Sequence, residues 1–171
     1  MRTFQHVKMI PDMSVLDNVA LGAHARGQRN VWASMLRRNR DEERSIMAEA
    51  ERQMKRVGLG DWVHERAANL PMGQQRLMEI ARALCADPSL LLLDEPAAGL
   101  RHLEKRELIS VLRQLQSEGV SILLVEHDMD VVMDVCDHIV VMEFGTYLTE
   151  GTPAHVQADP KVRAAYLGTE H

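Results

Sequence analysis

The sequence predicts an α/β fold, a parallel sheet covered by helices with a helical lobe ahead of it. Three observations point there. Apolar runs at Leu90–Leu93, Val120–Val125 and Ile139–Met142 are short, nearly unbroken and separated by stretches of helix length. Strands without polar alternation bury both faces, which a helix-covered parallel sheet allows. Residues 14–84, by contrast, read mostly as helix. Finally, 171 residues with 46% hydrophobic content suit one domain with a sub-lobe, at roughly 150 residues per domain, and exclude a disordered chain.

Arg2-Thr3-Phe4 looks like the end of a strand. From Asp41 to Val57, Ile46, Met47, Ala50, Met54 and Val57 form one stripe at helical spacing, and Gly58 supplies the stop. The charges Arg37, Arg38, Arg40, Asp41, Glu42 and Glu43 read as a solvated face and helix start. A second helix is expected from near Gln74 to about Cys85. After Asp87-Pro88 the run of four leucines ends in Asp94-Glu95-Pro96, and a helix carries Leu103, Leu108, Leu112 and Leu115 up to Gly119. The second run ends in Glu126-His127-Asp128; a helix with Val132, Met133 and Cys136 leads to the third. Pro153 and Pro160 each start a short helix in the tail.

Lys and Arg total 20 against 25 Asp and Glu, a net charge of −5. That balance argues against nucleic acid as a partner, since phosphate-backbone binding draws on a basic surplus. Cys85 and Cys136 make no disulfide framework and read as free thiols of a reducing compartment. No apolar run approaches the ~20 residues of a bilayer span, and the first residues lack a signal-type apolar segment. Any membrane role is therefore expected to run through a partner protein.

Ligands of open α/β sheets lie at the carboxyl ends of the strands. Two such ends here carry polar clusters, Asp94-Glu95 and Glu126-His127-Asp128. They could simply cap the helices that follow. The functional reading is a phosphate and Mg²⁺ site: Asp94 holds the ion through water, Glu95 orients or deprotonates an attacking water, and His127 contacts the transferring phosphate. A second signal is Leu70-Pro71-Met72-Gly73-Gln74-Gln75-Arg76, which opens a helix and offers free N–H groups and a positive dipole to an anion. A single glycine before a helix is weak evidence by itself.

LPMGQQRLMEIARAL, LLLLDEPAAGL and ILLVEHDM, in this order and spacing, together resemble the ATP-binding subunits of ABC transporters over nearly the whole chain. The resemblance implies a P-loop NTPase core, here incomplete, with a helical subdomain, and assigns roles residue by residue. Phe4-Gln5-His6 resembles the Q-loop, with Gln5 reaching Mg²⁺ and the attacking water. Pro71 to Gln75 resemble the signature loop, so Met72, Gly73 and Gln74 would meet the γ-phosphate of an ATP held by the opposite subunit of a dimer. Asp94 closes Walker B, Glu95 is the catalytic carboxylate, Ala98 to Arg101 resemble the D-loop, and His127 the switch histidine. The division implied is 1–11 (Q-loop region), 12–86 (helical subdomain ending in the signature helix), 87–150 (Walker B, D-loop and switch half of the core) and 151–171 (helical tail). ATP and Mg²⁺ follow as cofactors. Integral membrane permease subunits and a second ATPase subunit follow as partners, and the inner face of the cell membrane as location. DEPAAGL, the insert around Gly27 to Arg40 and the ending EGTPAHVQADPKVRAAYLG narrow the resemblance to branched-chain amino acid importers.

The departures matter as much. No GxxxxGK[ST] phosphate loop occurs. Gly22 to Gly27 has the glycine spacing, but Gln28-Arg29 replace the Lys and hydroxyl, and Gly58-Leu59-Gly60 lacks the third glycine of a dinucleotide loop. The chain thus resembles the C-terminal part of such an ATPase, expected to hydrolyse ATP weakly or not at all and to leave Leu and Val side chains of its sheet uncovered. Pro71 stands at the signature Ser position and Arg101 where many members carry Asp. The alternative function is a non-catalytic module that docks on membrane subunits or on an intact ATPase.

Overall fold

The computed structural model describes residues 9–23 and 39–167. Arg2-Thr3-Phe4, Gln5, Gly27 and residues 28–38 of the insert lie outside them. The chain forms two compact units, Met1–Val125 and Glu126–His171. The division falls within the stretch 87–150.

The first unit starts with α1 (Val15–Ala20), capped by Ser14, whose Oγ accepts from the Asp17 N–H at 3.0 Å. Asn18 is fully buried on this short helix. Its amide donates to the carbonyls of Ile10 and Ser14, each at 3.0 Å, and its Oδ1 accepts from the Ile10 N–H at 2.8 Å. One side chain therefore pins the segment before α1. Helix α2 spans Asn39–Arg56, with Asp41 and Glu42 in its first turn and Lys55 and Arg56 in its last, each complementing the helix dipole. Ala50, Met54 and Val57 of the expected stripe are fully buried. Gly58, at φ +82°, takes the left-handed conformation of a helix stop. Helix α3, Met72–Leu84, begins two residues earlier than the sequence suggests. The reason lies in Pro71, whose ring fixes φ at −57° and stands at the helix entrance.

Helices α1, α2 and α3 pack on one another as a helical lobe. Gly22, just past α1, allows α1 and α3 to approach closely: a Cβ there would stand 1.8 Å from the carbonyl oxygen of Arg82. Gly22 is thus a packing glycine, which explains it without a phosphate loop.

Strand β1 (Leu90–Asp94) and β2 (Ser121–Val125) form a parallel pair, with Leu90 opposite Ser121 and Asp94 opposite Val125. Between them runs α4 (His102–Ser117), burying Leu108, Leu112 and Leu115. Leu91 and Leu93 of β1 are buried. On β2, Leu123 and Val125 are 58% and 57% exposed, the uncovered apolar side chains anticipated above.

In the second unit, α5 (Met129–Val135) leads into β3 (Ile139–Glu143). Here the sequence expectation needs correcting. Among the described residues the third apolar run does not extend the parallel pair; it folds back antiparallel on β4 (Thr146–Gly151), a strand the sequence reading did not anticipate. The cause is the turn at Phe144-Gly145, where both residues have positive φ (47° and 77°), the backbone of a tight hairpin. Ile139 and Val141 point inward and join Val132, Val156 and Val162 in a small core. Helices α6 (Pro153–Ala158) and α7 (Pro160–Val162) start at the two prolines as expected, capped by Thr152 and Asp159. The residues after α7, Arg163–Leu167, wind as a π-helical turn, and the Tyr166 hydroxyl donates to the Met142 carbonyl.

Candidate functional site

Asp94 ends β1, and Glu95 takes the first step beyond it with φ at +46°. A non-glycine residue in this region is uncommon and is held only by its surroundings. Here the hold is a 2.8 Å hydrogen bond from the Glu95 N–H to the carbonyl of Val125, one step beyond the end of the ladder. The parallel pairing itself thus fixes where the second carboxylate of the pair departs from the sheet. Both carboxylate residues are half-buried at the strand's carboxyl end, where α/β sheets place their ligands.

The turn after Glu95 leads into α4 and lies against the start of α3. Ala98 donates to Glu95 O at 3.2 Å and Leu100 to Ala97 O at 3.1 Å, closing a tight turn with Gly99 at φ +77°. A Cβ on Gly99 would stand 3.0 Å from Met72 Sδ. On the other side, a Cβ on Gly73 would stand 2.9 Å from Cγ of Glu104 in α4. The first turn of α3 therefore meets the turn after the carboxylate pair at Gly99 and α4 at Gly73, each contact tolerating no larger residue without a shift.

Glu104 is the residue that sequence reasoning missed. Its carboxylate accepts from the Arg101 N–H at 2.8 Å and from the Arg101 guanidinium at 2.9 Å, closing a capping box on α4. Those bonds from Arg101 hold the Glu104 carboxyl below the usual carboxylate range. Whatever these bonds contribute to stability is therefore present at neutral pH and is lost as pH falls through that lowered value. The three-residue spacing from Arg101 to Glu104 was the available sequence signal. The contact with Gly73, 31 positions away, left none.

At the start of α3, Pro71 provides no side-chain cap. Gln75 Nε2 donates to Leu70 O at 2.8 Å, and Arg76 and Glu79, both buried, pair at 3.3 Å. Met72 is half exposed. The Oε1 of Gln74 is buried and, among the described residues, has no hydrogen-bond partner. An orphaned acceptor of this kind calls for a water or a donor ligand.

The second cluster belongs to the second unit. The buried Glu126 carboxylate accepts from the N–H groups of His127 at 3.1 Å and Asp128 at 3.4 Å. Asp128 Oδ1 caps α5 by accepting from Val131 N–H at 3.2 Å, so for this residue helix capping is the observed role. His127 has a 68% exposed side chain and lies two residues past Val125, the register partner of Asp94. The structure places Asp94 and Glu95 at the end of β1 and Met72, Gly73 and Gln74 at the start of α3, with Gly99 of the turn after Glu95 lying against Met72; His127 is positioned in the other unit, and Gln5 lies outside the described residues. Among the described residues no helix is long and apolar enough to cross a membrane.

Comparison with known proteins reaches the same region. A family model described as "ABC transporter" matches residues 2–98, and one described as "Branched-chain amino acid ATP-binding cassette transporter" matches residues 148–171. The high-affinity branched-chain amino acid transport ATP-binding protein BraF of Pseudomonas aeruginosa is 39% identical over 170 residues, covering 98% of this chain and 67% of that protein. A probable branched-chain amino acid transport ATP-binding protein, LivG, of Archaeoglobus fulgidus is 36% identical, covering 99% of this chain and 65% of that protein. Among solved structures, an ATP-binding cassette of an ABC transporter in its ADP conformation superposes with a TM-score of 0.80 at 29% identity, over 98% of this chain and 68% of that one. The chain spans about two thirds of the length of these proteins.

Proposed function

This chain belongs to the ATP-binding subunits of ABC transporters, of the branched-chain amino acid type, and on that footing we propose that it helps power import of branched-chain amino acids by presenting the start of α3 to the terminal phosphate of a bound ATP. The observation that carries this is the contact of the turn after Asp94-Glu95 with the first turn of α3, where Gly99 lies against Met72. Two elements suited to anionic or metal ligands thus meet in one unit.

The residues present fit the implied cofactors in part. Mg²⁺ is usually held by one or two carboxylates, with waters and phosphate oxygens completing the shell, and Asp94 at a strand end suits that mode. Among the described residues no group of three or more His, Cys, Asp or Glu forms a full metal cage. ATP with Mg²⁺ supplies a transferable phosphoryl group. Toward it the first-turn N–H groups of α3 would stabilise negative charge, Glu95 would orient water or take its proton, and Gln74 Oε1 would accept from a hydroxyl or water. His127 and Gln5 keep the roles assigned to them from sequence, contact with the phosphoryl group and with Mg²⁺.

In line with the family's dimer, the nucleotide met by α3 is the one held by a second ATP-binding subunit. Integral membrane permease subunits complete the assembly, at the inner face of the cell membrane. The test is association with such a subunit, followed by sedimentation with and without Mg²⁺·ATP. ATP should tighten the complex, and Gly73→Glu, which sets a carboxylate where phosphate is to bind, should remove at least about tenfold of that gain. Association indifferent to ATP and to Gly73→Glu would instead establish a non-catalytic docking module.

A further inference from the structure

We propose that Met72 is a site of reversible oxidation by peroxide, and that its sulfoxide opens the contact between the start of α3 and the turn after Asp94-Glu95. The proposal rests on the phosphate-facing reading of α3 and adds a regulation to that site.

Two observations single out this sulfur. Met72 is the first residue of α3 and is 50% exposed, whereas Met54 and Met78 of the same unit are fully buried. Peroxide reaches an exposed thioether far more readily than one sealed in a core. The same side chain is also a packing element. A Cβ on Gly99 would stand 3.0 Å from Met72 Sδ and 3.8 Å from its Cε, so the sulfur itself faces the turn. Gly99, at φ +77°, has no side chain to put there, and the thioether fills the place. Met142, on β3 of the second unit, is just as exposed and provides the comparison.

The chemistry is a two-electron oxidation by hydrogen peroxide. The sulfur lone pair attacks one peroxide oxygen; the S–O bond forms as the O–O bond breaks. The hydroxide that departs takes the proton remaining on the transferred oxygen and leaves as water. Sulfur is oxidised by two electrons and the peroxide reduced by two. A polar, chiral group then replaces a flexible apolar one. Its oxygen adds bulk and partial negative charge to the atom that packs on Gly99, so the apolar fit is lost. That charge also sits in the first turn of α3, whose N–H groups are the donors offered to phosphate. Methionine sulfoxide reductases restore the thioether, which makes the change reversible.

The test treats the full chain with dilute hydrogen peroxide as wild type, Met72→Leu and Met142→Leu. Leucine keeps the apolar volume without an oxidisable sulfur. Peptide mass mapping should show Met72 and Met142 gaining one oxygen at least about tenfold faster than Met54 and Met78. In isotope-labelled chain, the Gly99 amide resonance should move on oxidation of wild type and Met142→Leu, stay in place in Met72→Leu, and return after reductase treatment. Met72 oxidised no faster than the buried pair, a Gly99 amide unmoved by a sulfoxide at Met72, or the same movement in Met72→Leu would each overturn the proposal. Should Met72→Leu fail to fold, partly oxidised wild type decides: the shifted fraction of Gly99 should equal the sulfoxide fraction at Met72, and a fraction that follows Met142 instead overturns it. Oxidised Met142→Leu should also lose at least about fivefold of the gain in association that ATP gives with the second subunit, and an undiminished gain overturns the regulation. An unoxidised chain whose association ignores ATP removes the phosphate reading of α3, while mass and resonance still decide the oxidation site.

Discussion

A polypeptide of this sequence incubated alone with Mg²⁺·ATP should turn over nucleotide at less than about 0.01 per second, against roughly 1–1,000 per second for ordinary enzymes. Phosphoryl transfer demands little covalent chemistry from a protein; catalysis is positioning together with electrostatic stabilisation of the transferring group. Losing one preorganised donor to the developing charge typically costs about 10²–10³ in rate. A phosphate loop contributes several backbone donors and a lysine, and no GxxxxGK[ST] exists in these 171 residues. The described carboxylates cannot replace them: Asp94 and Glu95 are acids, not donors, and the start of α3 at Gly73 already has the Glu104 side chain packed against it. Release of phosphate from ATP, followed with purified chain, measures this. Turnover at ordinary rates that Glu95→Gln abolishes would show that the chain holds its own triphosphate after all.

The second large effect is on stability. Gly22→Ala should destabilise the helical lobe by about 3 kcal/mol or more, lowering its melting temperature by roughly 6–12 °C. The added Cβ would stand 1.8 Å from the backbone carbonyl oxygen of Arg82 and 2.8 Å from its carbonyl carbon. A side chain in that position could rotate away; a carbonyl inside α3 cannot, so α1 and α3 must separate and loosen the packing of Val15, Val19 and Met78, all fully buried. Gly60→Ala is the matched control. Its Cβ would meet only Lys55 Cγ at 3.4 Å, an ordinary contact with a flexible side chain, and should change stability by less than about 0.5 kcal/mol. Thermal unfolding by circular dichroism compares the two. Equal melting of both variants would contradict the close packing of the helices at Gly22.

Much of the architecture was legible because local pattern and tertiary burial agree. The α2 stripe ends in Ala50, Met54 and Val57, which are fully buried, and the first two apolar runs became the two parallel strands in register. The hairpin escaped notice because its turn is Phe144-Gly145 rather than Asn-Gly or Asp-Gly, and aromatic residues seldom take positive φ. Reading β3 as a third parallel strand was the natural result, since an apolar run carries no record of the direction of its neighbour. The candidate site was legible as chemistry and illegible as contact. Asp94, Glu95 and the opening of α3 stand out as residue types at strand and helix ends. That Gly73 is glycine because Glu104 lies against it, or Gly22 because Arg82 does, depends on approaches across 31 and 60 positions that no local pattern encodes.

The most direct measurement places a photoreactive group on the γ-phosphate of ATP, binds that analogue to the subunit carrying the phosphate loop, adds this chain, and maps the labelled peptide after illumination. Label on the segment Pro71–Arg76 of this chain, reduced by unmodified ATP and by Gly73→Glu, is the result expected. Label confined to the other subunit, or falling on this chain away from the opening of α3, would contradict a role for that helix at the terminal phosphate.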